Sequence, residues 1–231
     1  MKVALIANTF VNDDAIFDMT GYQSRWMMSE GEWERDADEL AEFAGRNCYR
    51  SFDRPNPATR ENVDYLKHIL DVGHESVLEH ASATFYIEAS RSVLTELERH
   101  RHLSFSVVSQ RYVDPTKLGY HVPPALREEE DNGLEMLWEI ASASHRTTVA
   151  HLLARGLTRK QAHEAARCLL PNMTNSPMVV TGNHRAWRNV IKQRWHKAAD
   201  AEIRELAGLL LSELREIAPN TYQDIPEEPY G

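Results

Sequence analysis

The sequence predicts an α+β fold. Helical periodicity covers more of the chain than strand-like alternation, and the strand-like segments are scattered between helices without regular alternation. That arrangement disfavours a doubly wound parallel sheet. No Gly-x-Gly-x-x-Gly run follows a strand-like segment, so the usual dinucleotide-binding crevice is missing as well. With 231 residues the chain can bury a core as one domain, expected over residues 1–218, with a loose acidic, proline-containing tail over 219–231.

The elements follow in order. Residues 2–7 are β-rich and alternate weakly, which predicts a first strand. Residues 34–49 carry Leu40, Phe43, Ala44 and Cys48 at helical spacing, and Cys48 reads as a small buried packing residue. Phe52–Ala58 reads as a loop, and Thr59 is placed to cap a helix with Val63, Leu66, Ile69 and Leu70 on one stripe, ending at Gly73. Residues 81–89 alternate like a strand, and Ser90 then precedes a helix over Arg91–Arg101 with Val93, Leu94 and Leu97 inward. Residues 118–132 are loop-like, and their acidic run Glu128–Asp131 reads as a solvated surface insertion. Helices are predicted over 133–155, 159–169 and 184–217, the last bent near 196–200, with a short strand at Met178–Thr181.

Composition excludes several classes. Hydrophobic residues at 42% and charged residues at 26% are the balance of a globular protein in water. No apolar run approaches the ~18 residues of a membrane span, and the start is too short for a signal peptide. Cys48 and Cys168 are the only cysteines, which excludes a disulfide framework or a four-cysteine zinc site and fits a reducing cytoplasm. Thirty-five acidic against 26 basic residues leave a net charge of −9, which argues against coating nucleic acid. A small anionic ligand needs only a local cluster of positive charge.

Such a cluster is present. Arg99-His100-Arg101-His102-Leu103-Ser104-Phe105-Ser106-Val107-Val108-Ser109-Gln110-Arg111 holds no acidic residue and falls where a predicted helix gives way to irregular chain. Guanidinium forks, hydroxyls and free backbone N–H groups are the usual means of holding phosphate or a planar heterocycle. A helix C-terminus complemented by cations accounts for Arg99 and Arg101, but not for Ser104, Ser106, Ser109 and Arg111. A nucleotide- or RNA-binding module is disfavoured by the acidic balance and by the lack of an aromatic stacking platform.

Two other segments hold candidate groups. Gly73–His80 includes His74, Ser76, Glu79 and His80, but its histidines are six apart, not the four of a zincin helix, so no metal site is expected. The plain reading is a capping loop. On the helix beginning near Asn183, Trp187, Val190, Ile191 and Arg194 fall at i, i+3, i+4 and i+7, which puts Arg194 on the inward stripe. A buried guanidinium is costly unless it meets an anion or strong acceptor, either a ligand or an internal carboxylate.

The pattern Arg-His-Arg, seven residues, then Ser (Arg99–Arg101 and Ser109), continued by Gln110-Arg111-Tyr112, resembles the signature of flavin-dependent thymidylate synthases, the ThyX family. The likeness covers roughly residues 40–200. It implies a mostly antiparallel sheet flanked by helices, a homotetramer, and conversion of dUMP to dTMP. Methylenetetrahydrofolate would supply the carbon, and NADPH would reduce a bound FAD. The matching positions imply dUMP contacts at Glu96, Arg99, Ser109, Gln110, Arg111, Arg167 and Arg194, with Arg194 also activating the uracil ring. They imply FAD contacts at His74, Ser76, Glu79, Arg99, His100, Arg101, His102, Asn183, Arg185 and Asn189. Val107 stands where many members carry a polar residue, so only its backbone is available there. Ser109 has no identifiable base nearby and is expected to orient dUMP without a covalent bond.

Overall fold

The computed structural model describes residues 1–23, 36–53, 56–129 and 133–231. The first two residues of the helix expected from 34, Arg54 and Pro55 of the expected loop, and the last two of the acidic run lie outside the described residues.

Four strands, β1 (Lys2–Asn8), β2 (Ser82–Ser90), β3 (Ser104–Val107) and β4 (Asn175–Asn183), form one sheet in the order β1-β2-β4-β3. Every neighbouring pair is antiparallel. The described helices are α1 (Asp13–Thr20), α2 (Asp36–Tyr49), α3 (Asn62–Asp71), α4 (Arg91–Leu97), α5 (Leu134–Ala154), α6 (Arg159–Ala166), α7 (His184–Arg194) and α8 (Ala201–Ile217). The fold is α+β with an antiparallel sheet. No helix among the described residues is long and apolar enough to cross a membrane.

Alternation sets which face of the sheet is buried. On β2, Ala83, Phe85, Ile87 and Ala89 point into the core, and on β4 Met178 and Val180 do the same. Val180 is flanked in register by Phe85 on β2 and Phe105 on β3, and Met178 by Ile87 and Val107. The core continues into α4 through Val93, Leu94 and Leu97, into α7 through Trp187, Val190 and Ile191, and into α8 through Ile203, Leu206, Leu210 and Leu214. Trp187 meets Phe85 edge-on at 5.1 Å, and its indole N–H donates to the Ala83 carbonyl at 3.0 Å. The buried ring therefore leaves no polar atom unpaired. A smaller cluster joins Ala41 of α2 and Leu66 and Ile69 of α3 to Val77 and Leu78 in a 3-10 turn, Glu75–Glu79.

Local signals in the sequence account for several boundaries. Ser90 caps α4 by accepting from Val93 N at 3.2 Å. Gly73, at φ +73°, takes the left-handed turn that ends α3.

Other expectations need correction. The arginine-rich stretch is not irregular after its helix: α4 stops at Leu97, and residues 104–107 are β3. Its serines alternate with Phe105 and Val107, which lie against the core, so polar and apolar residues there mark two faces of a strand. Thr59 lies in a separate 3-10 turn and does not cap α3. Cys48 is exposed, because α2 buries the side bearing Ala37, Asp38, Ala41, Glu42 and Gly45.

The 219–231 segment is packed. Thr221, Tyr222 and Ile225 are buried, and Tyr222 and Ile225 belong to the main core. Asp38 of α2 accepts from Thr221 N at 2.9 Å and from Asn220 N at 2.8 Å, and Tyr222 Oη meets His184 Nδ1 at 3.0 Å. A loose acidic tail does not describe these residues. Composition points to solvent, but Thr221 bonds Asp38, 183 positions away, and Asp224 and Tyr222 bond Arg188 and His184 of α7.

Candidate active site

β4 runs directly into α7, so the end of the sheet aims the helix. Asn183 caps α7 by accepting from Ala186 N at 2.8 Å. The 3.6-residue period then sorts the cations of α7. Arg185, Asn189 and Lys192 form an exposed stripe, while Trp187, Val190 and Ile191 face the core with Arg194 at the stripe's end.

Arg194 meets the arginine-rich motif there. Its Nη1 donates to Glu96 Oε2 at 2.8 Å, its Nη2 to the Glu96 carbonyl at 3.2 Å, and its Nε to His100 Nε2 at 3.1 Å. Burial and the neighbouring Arg194 cation push the His100 imidazole down to about 4. His100 is therefore neutral near pH 7. Since it accepts at Nε2, its proton sits on Nδ1. Among the described residues, three of the guanidinium's five N–H groups are engaged and two are not.

Two cavities flank α7 and the Glu75–Glu79 turn. The larger, about 540 Å³, is lined by Glu75, Glu79, His102, Asn183, Arg185 and Asn189. The smaller, about 340 Å³, is lined by Cys48, Tyr65, His74, Ser76 and, again, Glu75 and Arg185. Arg185 Nη1 donates to Glu79 Oε1 at 2.5 Å across the larger cavity. Gly182, the residue before Asn183, lets the motif approach: a Cβ there would stand 2.4 Å from Leu103 and 3.2 Å from Trp187. Seating Leu103 on bare backbone brings His102 beside Asn183.

A match to the family described as thymidylate synthase complementing protein spans residues 32–220. A probable flavin-dependent thymidylate synthase of Mycobacterium phage D29 is 68% identical, over 100% of this chain and 99% of that protein. This chain belongs to the flavin-dependent thymidylate synthase family. Another family member, from Mycobacterium avium, is 48% identical over 83% of this chain and 82% of its own. The fold is shared with a UMP/dUMP methylase, PolB from Streptomyces cacaoi, whose crystal structure holds 5-Br dUMP. The TM-score is 0.70 at 21% identity, over 99% of this chain and 95% of that one.

The structure gathers the family-matched residues into groups. Glu96, His100 and Arg194 are joined by hydrogen bonds; Glu79, His102, Asn183, Arg185 and Asn189 share the larger cavity; His74 and Ser76 line the smaller. Glu79 pairs with Arg185 instead of capping its own turn. Arg99, Arg101 and Arg167 are exposed, and among the described residues no hydrogen bond ties their side chains to these groups. Ser109 uses its carbonyl to accept from Tyr112 N and Val113 N, and among the described residues no base bonds its hydroxyl. Gln110 is buried with its Nε2 unpartnered among those residues.

The sequence reading missed Glu75, Arg188, Lys192 and Asp224. Arg188 is 1% exposed and forms a fork-to-fork pair with Asp224, Nη1 to Oδ1 and Nη2 to Oδ2, both at 2.7 Å. The signal was a second inward stripe, His184, Arg188 and Ile191 at i, i+4 and i+7, of a helix packed on two sides.

Proposed function

We propose that this chain converts dUMP to dTMP in the cytoplasm as an FAD-dependent thymidylate synthase. The one-carbon donor is 5,10-methylenetetrahydrofolate, and NADPH reduces the flavin. The observation that carries the reading is the held Arg194 guanidinium, with two N–H groups left over at the edge of the arginine-rich motif. Negative charge develops on the uracil ring as C5 becomes nucleophilic. A cation fixed beforehand stabilises that charge without reorganising during the reaction. His100, neutral and behind Arg194, orients it from the protein side.

Glu96, Arg99, Ser109, Gln110, Arg111 and Arg167 are assigned to dUMP beside Arg194. The unpartnered Gln110 Nε2 is a buried donor suited to a ligand oxygen. PolB, the fold neighbour, holds a brominated dUMP, which supports the same ligand class. Ser109 orients the nucleotide and forms no covalent bond, in keeping with a hydroxyl that no base contacts among the described residues.

The residues present fit a flavin dinucleotide. His74, Ser76, Glu79, His102, Asn183 and Asn189 offer donors and acceptors around two adjoining cavities, and Arg185, which lines both, offers charge to a pyrophosphate; Arg99 and Arg101 are assigned to the flavin by the family resemblance. The Arg185–Glu79 pair is nearly half exposed on both sides, 49% and 45%. Such pairs contribute only about 0–1 kcal/mol, so a ligand phosphate can compete for Arg185. The bound flavin supplies the hydride that completes the methyl group. We further propose a homotetramer, supported by the exposed Met136, Leu137 and Ile140 on α5 and by the exposed Arg99 and Arg167, which a second copy's site can use.

Purified protein tests the reading. A yellow protein with a flavin spectrum that releases tritium from 5-labelled dUMP, dependent on folate and NADPH, supports it. A colourless protein that takes up no FAD overturns it. One that binds FAD without tritium release identifies an inactive relative. Light scattering after gel filtration tests the tetramer, which a monomer would overturn.

A further inference from the structure

Glu75 belongs to the wall shared by both cavities and is surrounded by cations. Lys192 Nζ lies 2.7 Å from its Oε1, Arg188 Nη2 3.9 Å from the same oxygen, and Arg185 Nε 4.0 Å from its Oε2. Of these cations only Arg188 is fully buried, and its fork is taken by Asp224 and the Thr221 carbonyl. Asp224 therefore decides how strongly Arg188 pulls on Glu75. Counting Arg185, Arg188 and Lys192 against Glu75, Glu79 and Asp224, the group is balanced at three charges of each sign.

The segment bearing Asp224 is anchored on both sides. Thr221 and Asn220 bond Asp38 of α2, Trp195 Nε1 donates to the Pro226 carbonyl at 3.1 Å, and Tyr230 Oη donates to the Lys192 carbonyl. It closes over the back of α7, the helix whose front carries Arg185 and Asn189 into the larger cavity. A carboxylate held there fixes charge on one side of the helix and geometry on the other.

We propose that Asp224 is a positioning residue for the flavin site, acting through Arg188 on Glu75. While Asp224 holds Arg188, Glu75 remains shared with Lys192 and Arg185 and keeps its place between the two cavities. Without the Asp224 charge, the buried guanidinium takes Glu75 as its counter-ion. The carboxylate shifts toward Arg188, leaves Lys192, and reshapes the common wall. This inference rests on the FAD reading above.

The test is a double-mutant cycle on FAD affinity, read by flavin fluorescence well below the melting temperature, with Asp224→Asn, Glu75→Gln and the pair. Each single change weakens FAD binding about tenfold, and the double variant is little worse than either single one, because both act through one element. A purely structural role lowers the melting temperature of Asp224→Asn and leaves FAD affinity within twofold of the parent, which overturns the proposal. Losses that simply add overturn the route through Glu75. If Asp224→Asn does not fold, Asp224→Glu, which keeps the charge but moves it, takes its place: a loss of FAD affinity that disappears in the Glu75→Gln background supports the proposal, and unchanged affinity or a loss that persists in that background overturns it. A parent protein that takes up no FAD overturns the functional reading and this proposal with it. A parent that binds FAD as tightly as its variants overturns this proposal alone.

Discussion

Arg194 grips Glu96 twice, through the carboxylate at 2.8 Å and through the backbone carbonyl at 3.2 Å, although the two residues are 98 positions apart. The double contact fixes the plane of the guanidinium as well as its position. It also ties the end of α7 to the end of α4, just where the arginine-rich motif begins.

Arg194→Ala is expected to lower kcat for tritium release by about a hundredfold or more, the scale of removing a preorganised charge-stabilising donor. Turnover within threefold of the parent would remove Arg194 from the chemistry.

His100→Ala removes the acceptor for Arg194 Nε, whereas His100→Gln can supply an amide oxygen in its place. The alanine variant should lose about tenfold in kcat with little change in KM for dUMP, and glutamine should recover most of it. Equal losses in both variants would mean that the ring's shape matters and its acceptor does not.

Stability should fall as the solution is acidified from about pH 6.5 to pH 4. His100, held down by burial and Arg194, and His184, held down by burial, both sit at about 4. The unfolded chain takes up protons at about 6.5, which the native chain refuses until about 4. The stability is therefore complete above the upper value and lost progressively below it, by about 1.4 kcal/mol per pH unit for each histidine. Asp224 adds to the loss at still lower pH: burial raises its carboxyl, but Arg188 outweighs that and holds it below the ordinary value. Denaturant midpoints compared across this range check the sign, and a flat profile would contradict it.

Gly182→Ala should destabilise the fold by about 1–3 kcal/mol, as overpacking does. Leu103 Cδ2 can swing away from the new methyl group, but the Trp187 ring, bonded to Ala83 and fully buried, cannot. The displaced Leu103 carries His102 with it, so FAD affinity should fall as well. Denaturation and flavin titration on one preparation check both effects.

Tyr222→Ala should cost about 3–5 kcal/mol, the usual cost of truncating a buried aromatic ring, although Tyr222 lies in a segment whose composition reads as a tail. It also leaves His184 Nδ1 without its partner. A change below 1 kcal/mol, on the scale of a surface substitution, would show that the segment is not packed in solution.

Much of this protein is legible from residues one or two turns apart. The periodicity of Trp187, Val190, Ile191 and Arg194, the cap at Ser90, the stop at Gly73 and the alternation over 81–89 are local signals, and the elements formed where they indicated. The Arg99–Ser109 spacing identified the family for the same reason, since a contiguous motif survives intact in sequence. One plain alternative also showed itself: Arg194 does pair with an internal carboxylate, Glu96.

What only the tertiary structure decided depends on partners far apart in the chain. The spacing of His184, Arg188 and Ile191 marks a second inward stripe on α7, but only the tertiary structure brings residues 221–225 over it. Glu75 becomes central only when the Glu75–Glu79 turn is laid against α7. Cys48 reads as a core residue until α2 turns its Asp38 side toward Thr221. A helical period shows that a face exists. Which cation finds which carboxylate is set by long-range packing, because a buried charge is tolerated only beside the partner that the fold delivers.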